Sequence, residues 1–350
     1  MKKDDLIVEK VVKNVGLIYF NRPDKINALN LKMVRDISKI LKKWEEDDNI
    51  KAVLLDSKSH KGFCSGGDLV HLYKDFIIND DCNDKDELFV EEFELDKYVE
   101  TYKKPIVSYW KGIVMGGGVG ISINSDFIIC DETVKWAMPE TDLGFVPDVG
   151  VGKFISSLPQ SLGQYVGLCG GLLESPDLIK HGLANLYIDS KDYEKIREKF
   201  FELSETYSSH ELIEKLREEA EKYKKESHET FVWKNRDKIE KYFCEDSLGE
   251  IYKILEENRE DEFARDILKD LKSKSQFSLD LQFEKYFVGK NLSYPETVDL
   301  DLKILKYCLK MGEMEEGIRS KMIDKDNDPD WKYKNLEDVK DKDIKKLLAI

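Results

Sequence analysis

Two carboxylates in the middle of the chain are the side chains best suited to chemistry. Glu140 and Asp148 each follow a proline in AMPETDLGFVPDVGVG, residues 137–152, a segment that is otherwise apolar and rich in glycine. Apolar surroundings raise the pKa of a carboxyl and suit it to work as an acid, a base or a nucleophile. A glutamate after a proline is also a good helix start, and for Glu140 alone the two interpretations carry equal weight.

Two glycine-rich motifs could offer backbone N–H groups to a reacting oxygen. GFCSGGDL at 62–69 follows the apolar run AVLLDS, and GIVMGGGVGISI at 112–123 follows PIVSYW. Glycine lets a ligand approach the backbone closely and leaves amides unshielded. Either motif alone is more often only a turn. Together they could form an oxyanion hole, which stabilises the enolate or tetrahedral oxygen of an acyl group by roughly 3 to 4 kcal/mol per donor.

Other common catalytic signatures fail. GVGKF at 150–154 lacks the first glycine and the hydroxyl of a phosphate-binding loop, and GGGVGI at 116–121 does not match GxGxxG. No GxSxG elbow exists, which makes Ser65 a weak nucleophile candidate. The five histidines form no HExxH motif. We therefore expect no metal site.

The charge balance excludes some classes of partner. The 350 residues carry a formal net charge of −15, and the isoelectric point is near 5.0. Such a surface disfavours nucleic-acid phosphates and anionic lipid. No window approaches the length of apolar sequence that a membrane-spanning helix needs. Neither nucleic acid nor a membrane is an expected partner.

The cysteines and the N-terminus bear on the compartment. The six cysteines lie far apart without a CxxC pair, and MKKDDLIVEKVV turns acidic at once. This pattern favours reduced thiols and differs from a secretory signal or an Arg- and Ser-rich transit peptide. We expect a cytoplasmic protein, with the mitochondrial matrix as the alternative if a transit peptide has been removed. The oligomeric state is left open, with a homo-oligomer among the expectations.

Short apolar runs separated by turns predict an α/β catalytic core over residues 1–190. LIVEKVV and VGLIYF, on either side of Lys13-Asn14, predict a hairpin, while AVLLDS, PIVSYW and DFIIC predict buried strands. The segment at 31–47 has apolar residues at helical spacing. Strands with crossover helices are expected.

The remaining residues, 191–350, predict a mostly helical C-terminal region. Their charged stretches carry apolar residues at three- and four-residue intervals and contain almost no glycine. A separate acidic run, NDDCNDKDE at 79–87, predicts a surface loop rather than a metal site, because its aspartates lack EF-hand spacing.

Four motifs in order resemble the enoyl-CoA hydratase/isomerase (crotonase) superfamily: NRPDKINALN at 21–30, GFCSGGD, MGGGVG and AMPETDLGFVPDVG. Each is short, but their order and the placement of the PE and PDVG elements are specific. EEGIRSKMIDKDNDPDWKY at 315–333 extends the resemblance over essentially the whole chain and is similar to the superfamily's 3-hydroxyisobutyryl-CoA hydrolases. The resemblance implies a spiral of ββα units with a helical C-terminal part, and an acyl-CoA substrate without a separate cofactor.

The same resemblance assigns roles to residues. It places the backbone N–H groups of Gly67 and Gly117 in an oxyanion hole, makes Glu140 the nucleophile or base and makes Asp148 the second acidic group. In VEEF at 90–93 it matches Glu92, in preference to Glu91, to a contact with the acyl part. The residues expected to bind substrate are Glu92, Gly117, Glu140 and Asp148.

Hydrolysis is favoured over hydration. Hydratases of this superfamily use two glutamates, and Gly120 stands where the first of them would be. One glutamate still suffices to attack a thioester carbonyl or to activate water toward it. The expected reaction converts 3-hydroxyisobutyryl-CoA to 3-hydroxyisobutyrate and CoA, a step of valine catabolism. An enoyl-CoA hydratase or isomerase and a non-catalytic acyl-CoA-binding protein are the alternatives.

In the expected mechanism Glu140 attacks the thioester to give a mixed anhydride, which water then hydrolyses. General-base activation of water by Glu140 is the alternative. Asp148 would hold the 3-hydroxyl of the substrate or orient the water. Departures from the family pattern at Lys111, Val151 and QFSL (276–279) bear on the acyl group more than on the chemistry.

Overall fold

The computed structural model describes residues 5–74 and 86–349. The predicted hairpin is confirmed: two antiparallel strands, Ile7–Val12 and Val15–Phe20, are joined through Lys13 and Asn14. The three predicted buried strands, AVLLDS, PIVSYW and DFIIC, are also confirmed. Four three-residue strands were not predicted, because three residues are too few to show a period. The strands are β1 Ile7–Val12, β2 Val15–Phe20, β3 Ala52–Ser57, β4 Gly62–Cys64, β5 Ile106–Trp110, β6 Ile113–Met115, β7 Phe127–Asp131, β8 Lys135–Ala137 and β9 Leu186–Ile188.

Six strands form the main sheet in the order β1-β2-β3-β5-β7-β9, and β4-β6-β8 form a second, smaller sheet. From β2 to β9 each neighbouring pair in the main sheet is parallel. Each main-sheet strand from β3 to β7 is followed by a short strand of the second sheet. This repetition of a long strand, a short strand and helical chain is the ββα pattern that the sequence resemblance implied.

One core covers a face of the main sheet. The helices that pack there are α8 (Tyr193–Thr206) and α9 (Ser209–Ala220), which bury apolar residues at helical spacing against the strands. Residues shared by this core include Leu17, Leu54, Val107, Ile129, Ile196, Phe200 and Leu212.

The chain divides into two compact units. The first consists of Met1–Gly67, Glu94–Trp136 and Leu173–Thr230, and the second of Asp68–Phe93, Ala137–Leu172 and Phe231–Ile350. Because α8 and α9 share the core of the sheet, the first unit runs across residue 190. A division into 1–190 and 191–350 stays a prediction.

The other helices complete the fold. Residues from 191 onward are mostly helical, as the spacing predicted. The predicted helix at 31–47 is confirmed as α1 (Leu31–Glu45), and Asn30 caps it by accepting a hydrogen bond from the Met33 amide. The remaining helices are α2 Leu69–Leu72, α3 Glu87–Glu100, α4 Gly117–Ile123, α5 Gly152–Ile155, α6 Gln160–Cys169, α7 Ser175–Lys180, α10 Phe231–Lys234, α11 Arg236–Phe243, α12 Leu248–Glu257, α13 Glu262–Ser273, α14 Gln276–Gly289, α15 Tyr294–Met311, α16 Glu313–Ile318 and α17 Asp341–Leu348.

The predicted acidic loop at 79–87 falls almost entirely outside the described residues, and Glu87 is already the first residue of α3. Within residues 5–74 and 86–349, no helix has both the length and the apolar character required to cross a membrane.

Candidate active site

Asn27 holds the loop that carries Gly67. Its side chain is fully buried in the first unit, and its Nδ2 donates to Ser57 Oγ and to the carbonyl of Phe63, both at 2.7 Å. A buried network in which each polar group has a partner fixes a loop rigidly. The NALN turn therefore holds the GFCSGGD loop in place through the side chain of Asn27.

The two glycine motifs meet in the first unit. A Cβ atom at Gly66 would lie 3.4 Å from the carbonyl oxygen of Met115 and 3.6 Å from the amide nitrogen of Gly117. Gly66 has a φ of 97° and Gly116 a φ of 48°, a region in which residues with a side chain are strained. The glycines are thus needed for backbone conformation as well as for close approach.

Gly118 brings the start of α4 onto β4. A Cβ atom there would lie 2.6 Å from the Cβ of Cys64 and 2.8 Å from its carbonyl oxygen, closer than real Cβ atoms come. Gly117, one residue earlier, is the first residue of α4, and its N–H has no acceptor within the helix.

The amides of Gly67 and Gly117 remain available. In the described part of the chain neither donates a backbone hydrogen bond outside helices and strands, and the first residue of a helix has no partner within it. Two such N–H groups can stabilise negative charge on an oxygen.

Glu140 begins a short 3-10 helix in the second unit, Glu140–Leu143, directly after Pro139. The helix-start interpretation therefore describes the backbone correctly, but the side chain is only 5% exposed. Thr141 Oγ1 donates to the carbonyl of Leu168 at 2.9 Å and anchors the turn. Among the described residues Glu140 Oε2 has no hydrogen-bond partner. A buried carboxyl oxygen without a partner is costly and is characteristic of a group that acts on a ligand.

Burial raises the pKa of Glu140 to about 8. The positive charge of Lys285 opposes this rise, whereas the negative charges of Asp142 and Asp301 add to it. Loss of water disfavours the charged form of a carboxyl, and nearby negative charge acts in the same direction. Near neutral pH Glu140 therefore titrates, which suits a base or nucleophile.

Asp148 and Glu92 join Glu140 in one set of buried carboxyls. Burial raises the pKa of Asp148 well above its usual value, and the charges of Glu140, Asp301 and Glu92 raise it further. Burial likewise raises the pKa of Glu92 to about 7. Glu92 is 2% exposed and its Oε1 lacks a partner within the described residues. The second unit thus brings together the three predicted acidic residues.

Two ionisable residues of this set were not found from the sequence. Lys285 on α14 and Asp301 on α15 form an ion pair of 2.5 Å, with side chains 2% and 0% exposed. Lys285 is the only lysine in the largely apolar stretch FSLDLQFEKYF, and this could have indicated a buried lysine. Its partner Asp301 is not recognisable from the local sequence. A second buried lysine, Lys274, is 3.0 Å from Asp142 in the 3-10 helix.

The structure therefore groups the predicted residues within each unit. Gly67 and Gly117 lie in the first, while Glu92, Glu140 and Asp148 lie in the second. The roles of all five stay predictions. In the described residues, no cluster of three His, Cys, Asp or Glu side chains could hold a metal ion. The expectation that the protein uses no metal or cofactor also stays a prediction.

Comparison with known proteins extends over nearly the whole chain. Residues 15–348 match the family model described as enoyl-CoA hydratase/isomerase. A relative from Bos taurus named 3-hydroxyisobutyryl-CoA hydrolase, mitochondrial, is 32% identical over 330 residues, covering 94% of this chain and 84% of that protein. The Homo sapiens protein of the same name is 31% identical over 334 residues, with the same coverage.

Solved structures show the same fold. An enoyl-CoA hydratase from Rhodobacter sphaeroides superposes with a TM-score of 0.87 at 27% identity, covering 99% of this chain and 97% of that chain. A carnitinyl-CoA dehydratase from Mycobacterium thermoresistibile gives the same values. These matches confirm the α/β crotonase fold with a helical C-terminal region. The chain belongs to the enoyl-CoA hydratase/isomerase family and, within it, to the branch of the 3-hydroxyisobutyryl-CoA hydrolases.

Proposed function

We propose that this protein hydrolyses 3-hydroxyisobutyryl-CoA to 3-hydroxyisobutyrate and CoA, a step of valine catabolism. The observation that carries the proposal is Glu140, a carboxyl buried in the second unit with one oxygen unpaired among the described residues. Its raised pKa gives it a proton affinity suited to work near neutral pH. Membership of the hydrolase branch supports the choice of reaction and substrate.

In the proposed mechanism the carboxylate of Glu140 attacks the thioester carbonyl carbon. The Gly67 and Gly117 amides stabilise the oxygen as it becomes negative. The C–S bond breaks, CoA leaves as a thiolate and takes a proton, and the acyl group remains on Glu140 as a mixed anhydride. Water then adds to the anhydride, which regenerates the carboxylate and releases the acid.

Asp148 and Glu92 are proposed to recognise the acyl part. Both are buried in the second unit and have raised pKa values, and the negative charge of Glu140 is one cause of the raised pKa of Asp148. A carboxyl accepts a hydrogen bond when it is ionised and can also donate one when it is protonated. In either state it suits the 3-hydroxyl of the substrate or the attacking water.

The hydratase alternative has support from the names of the two solved structures described above. It is disfavoured by Gly120, which is buried in α4 and supplies no carboxylate where hydratases of the family have one. Crotonyl-CoA separates the two functions. A hydratase removes the enoyl absorbance without releasing thiol, and rapid loss of that absorbance would contradict hydrolysis as the main activity.

The proposal is tested by thiol release from 3-hydroxyisobutyryl-CoA and from a panel of other acyl-CoA thioesters. Glu140→Gln keeps the size of the side chain but cannot attack or accept a proton, and it should lower kcat by at least about 100-fold. Glu226→Gln, at an exposed position, serves as the matched control and should retain full activity. Full activity of Glu140→Gln would refute the assignment, and a protein without hydrolysis that still binds acyl-CoA would be the non-catalytic alternative.

Hydroxylamine distinguishes the two versions of the mechanism. Hydroxylamine should attack the Glu140 carbonyl of a mixed anhydride formed during turnover, which releases the acyl group as the free acid and leaves a hydroxamate on the side chain of Glu140. Turnover without hydroxamate would favour Glu140 as a general base for water.

The compartment of this protein is also a proposal. The sequence predicts cytoplasm, with the mitochondrial matrix as the alternative, and the names of the vertebrate relatives include the word mitochondrial. Fractionation of the source cells, with an antibody to this chain, decides between the two.

A further inference from the structure

The turn that carries Asp148 has an unfavourable backbone conformation. Val149, the next residue, has a φ of 52° and is 1% exposed. This left-handed region is rare for residues with a β-branched side chain, because the Cβ substituents crowd the backbone. Such a conformation persists only when surrounding contacts hold it.

Three side chains from the start of α15 and the interior of α14 and α15 supply those contacts. Lys285 donates to the carbonyl of Pro147. Tyr294 donates through its hydroxyl to the carbonyl of Val149 at 3.1 Å. Asp301 accepts a hydrogen bond from the Gly150 amide at 2.9 Å. We call Lys285, Tyr294 and Asp301 the turn clamp.

The turn clamp is internally connected as well. Lys285 and Asp301 form the 2.5 Å ion pair, so the donor to Pro147 and the acceptor from Gly150 hold each other. The ring of Tyr294 occupies the space above Gly150, where a Cβ atom would lie 2.3 Å from the ring. The backbone is thus held on both sides of Asp148.

We propose that Lys285, Tyr294 and Asp301 are positioning residues that hold the strained Pro147–Gly150 turn and thereby aim the carboxyl of Asp148. This inference rests on the proposed function for its catalytic readout. A misplacement of about 1 Å in a reacting group can cost about 100-fold in rate. The clamp therefore contributes to turnover without touching the substrate.

Two tyrosines provide a matched pair of variants. Tyr294→Phe removes the hydroxyl that binds Val149, and Tyr286→Phe removes a hydroxyl that donates to the carbonyl of Leu158 at 2.8 Å. Both tyrosines are buried, and both variants delete one bond to a backbone carbonyl. We expect Tyr294→Phe to lower kcat for 3-hydroxyisobutyryl-CoA about 10-fold and Tyr286→Phe to change it less than about twofold.

A rescue separates positioning from general loss of stability. Val149→Gly removes the strain, because glycine adopts a positive φ freely. Added to Tyr294→Phe, it should recover kcat to within about threefold of the wild type.

Hydrogen exchange at the Gly150 amide is a readout that needs no activity. It should be slow in the wild type and in Tyr286→Phe, and faster in Tyr294→Phe. Equal kcat and equal exchange in the two tyrosine variants, or failure of Val149→Gly to rescue, would overturn the clamp. A wild type that releases no thiol from any acyl-CoA would refute the proposed function instead, and the exchange rates would still decide the clamp.

Discussion

A Cβ atom on Gly118 would lie 2.6 Å from the Cβ of Cys64, so these two residues set how closely α4 approaches β4. The distance matters for function because Gly117, the preceding residue, is a proposed oxyanion donor. The glycine at 118 is therefore a requirement of packing, whereas the glycine at 116 is a requirement of backbone conformation, with its φ of 48°.

Replacement of Gly118 by alanine should displace the start of α4 from β4. Overpacking of this kind costs about 1–3 kcal/mol of unfolding free energy, and a displaced oxyanion donor costs about 100-fold in kcat. Gly249→Ala is the control, because the nearest atom to a Cβ there is 3.8 Å away. Unfolding in urea and thiol release measure both effects. Activity of Gly118→Ala equal to that of Gly249→Ala would contradict the role of the α4 start.

The rate should rise with pH through the titration of Glu140. The carboxylate is the active form in either version of the mechanism, and burial raises the pKa of Glu140 to about 8. The value of kcat/KM should therefore increase from pH 6 to about 8 and level off above it. Since Glu92 and Asp148 titrate together with Glu140, the apparent pKa belongs to the set. The Glu140→Gln variant supplies the background rate, and a profile that falls over this range would exclude Glu140 as the group that must ionise.

Stability should have the opposite pH dependence. A carboxyl whose folded pKa lies above its unfolded pKa binds its proton more tightly when folded. Its contribution is present below the unfolded value of 4.5 and is lost as the pH rises toward about 8. Glu140→Gln has no such proton to lose, so its melting temperature relative to that of the wild type should increase from pH 5 to pH 8. A constant difference over this range would show that burial does not perturb Glu140, and Glu226→Gln should follow the wild type throughout.

Replacement of Asp148 by alanine should change the choice of substrate. If Asp148 binds the 3-hydroxyl, its loss leaves that hydroxyl without a partner, at a cost of about 1–3 kcal/mol, or about 5- to 150-fold in kcat/KM. Isobutyryl-CoA lacks the hydroxyl and should lose much less. Equal losses for both thioesters would instead assign Asp148 to the water, and no loss for either would remove it from the site.

The hairpin, the buried strands and the first long helix could be predicted because their signals are local. Alternating or continuous apolar runs determine strands, and the spacing of Leu31, Val34 and Ile37 determines a helix. Glu140, Asp148 and the two glycine motifs could be predicted as candidate site features because proline and glycine mark them in short motifs, whereas Glu92 was identified only through the family resemblance. The strands of three residues could not be predicted, since they are defined by the strands they pair with: β9 pairs with β7 in the main sheet, and β4, β6 and β8 form the second sheet.

The sequence by itself determined the family, the two glycine motifs and the identity of Glu140 and Asp148 as candidates, because short motifs constrain chemistry residue by residue. Only the tertiary structure decided the environment of those residues. Lys285 and Asp301 reach the Asp148 turn from α14 and α15, and the Gly150 amide finds its acceptor 151 residues away. The burial that raises the pKa of Glu140 likewise comes from distant parts of the chain, and loss of water depends on packing in three dimensions rather than on neighbours in sequence.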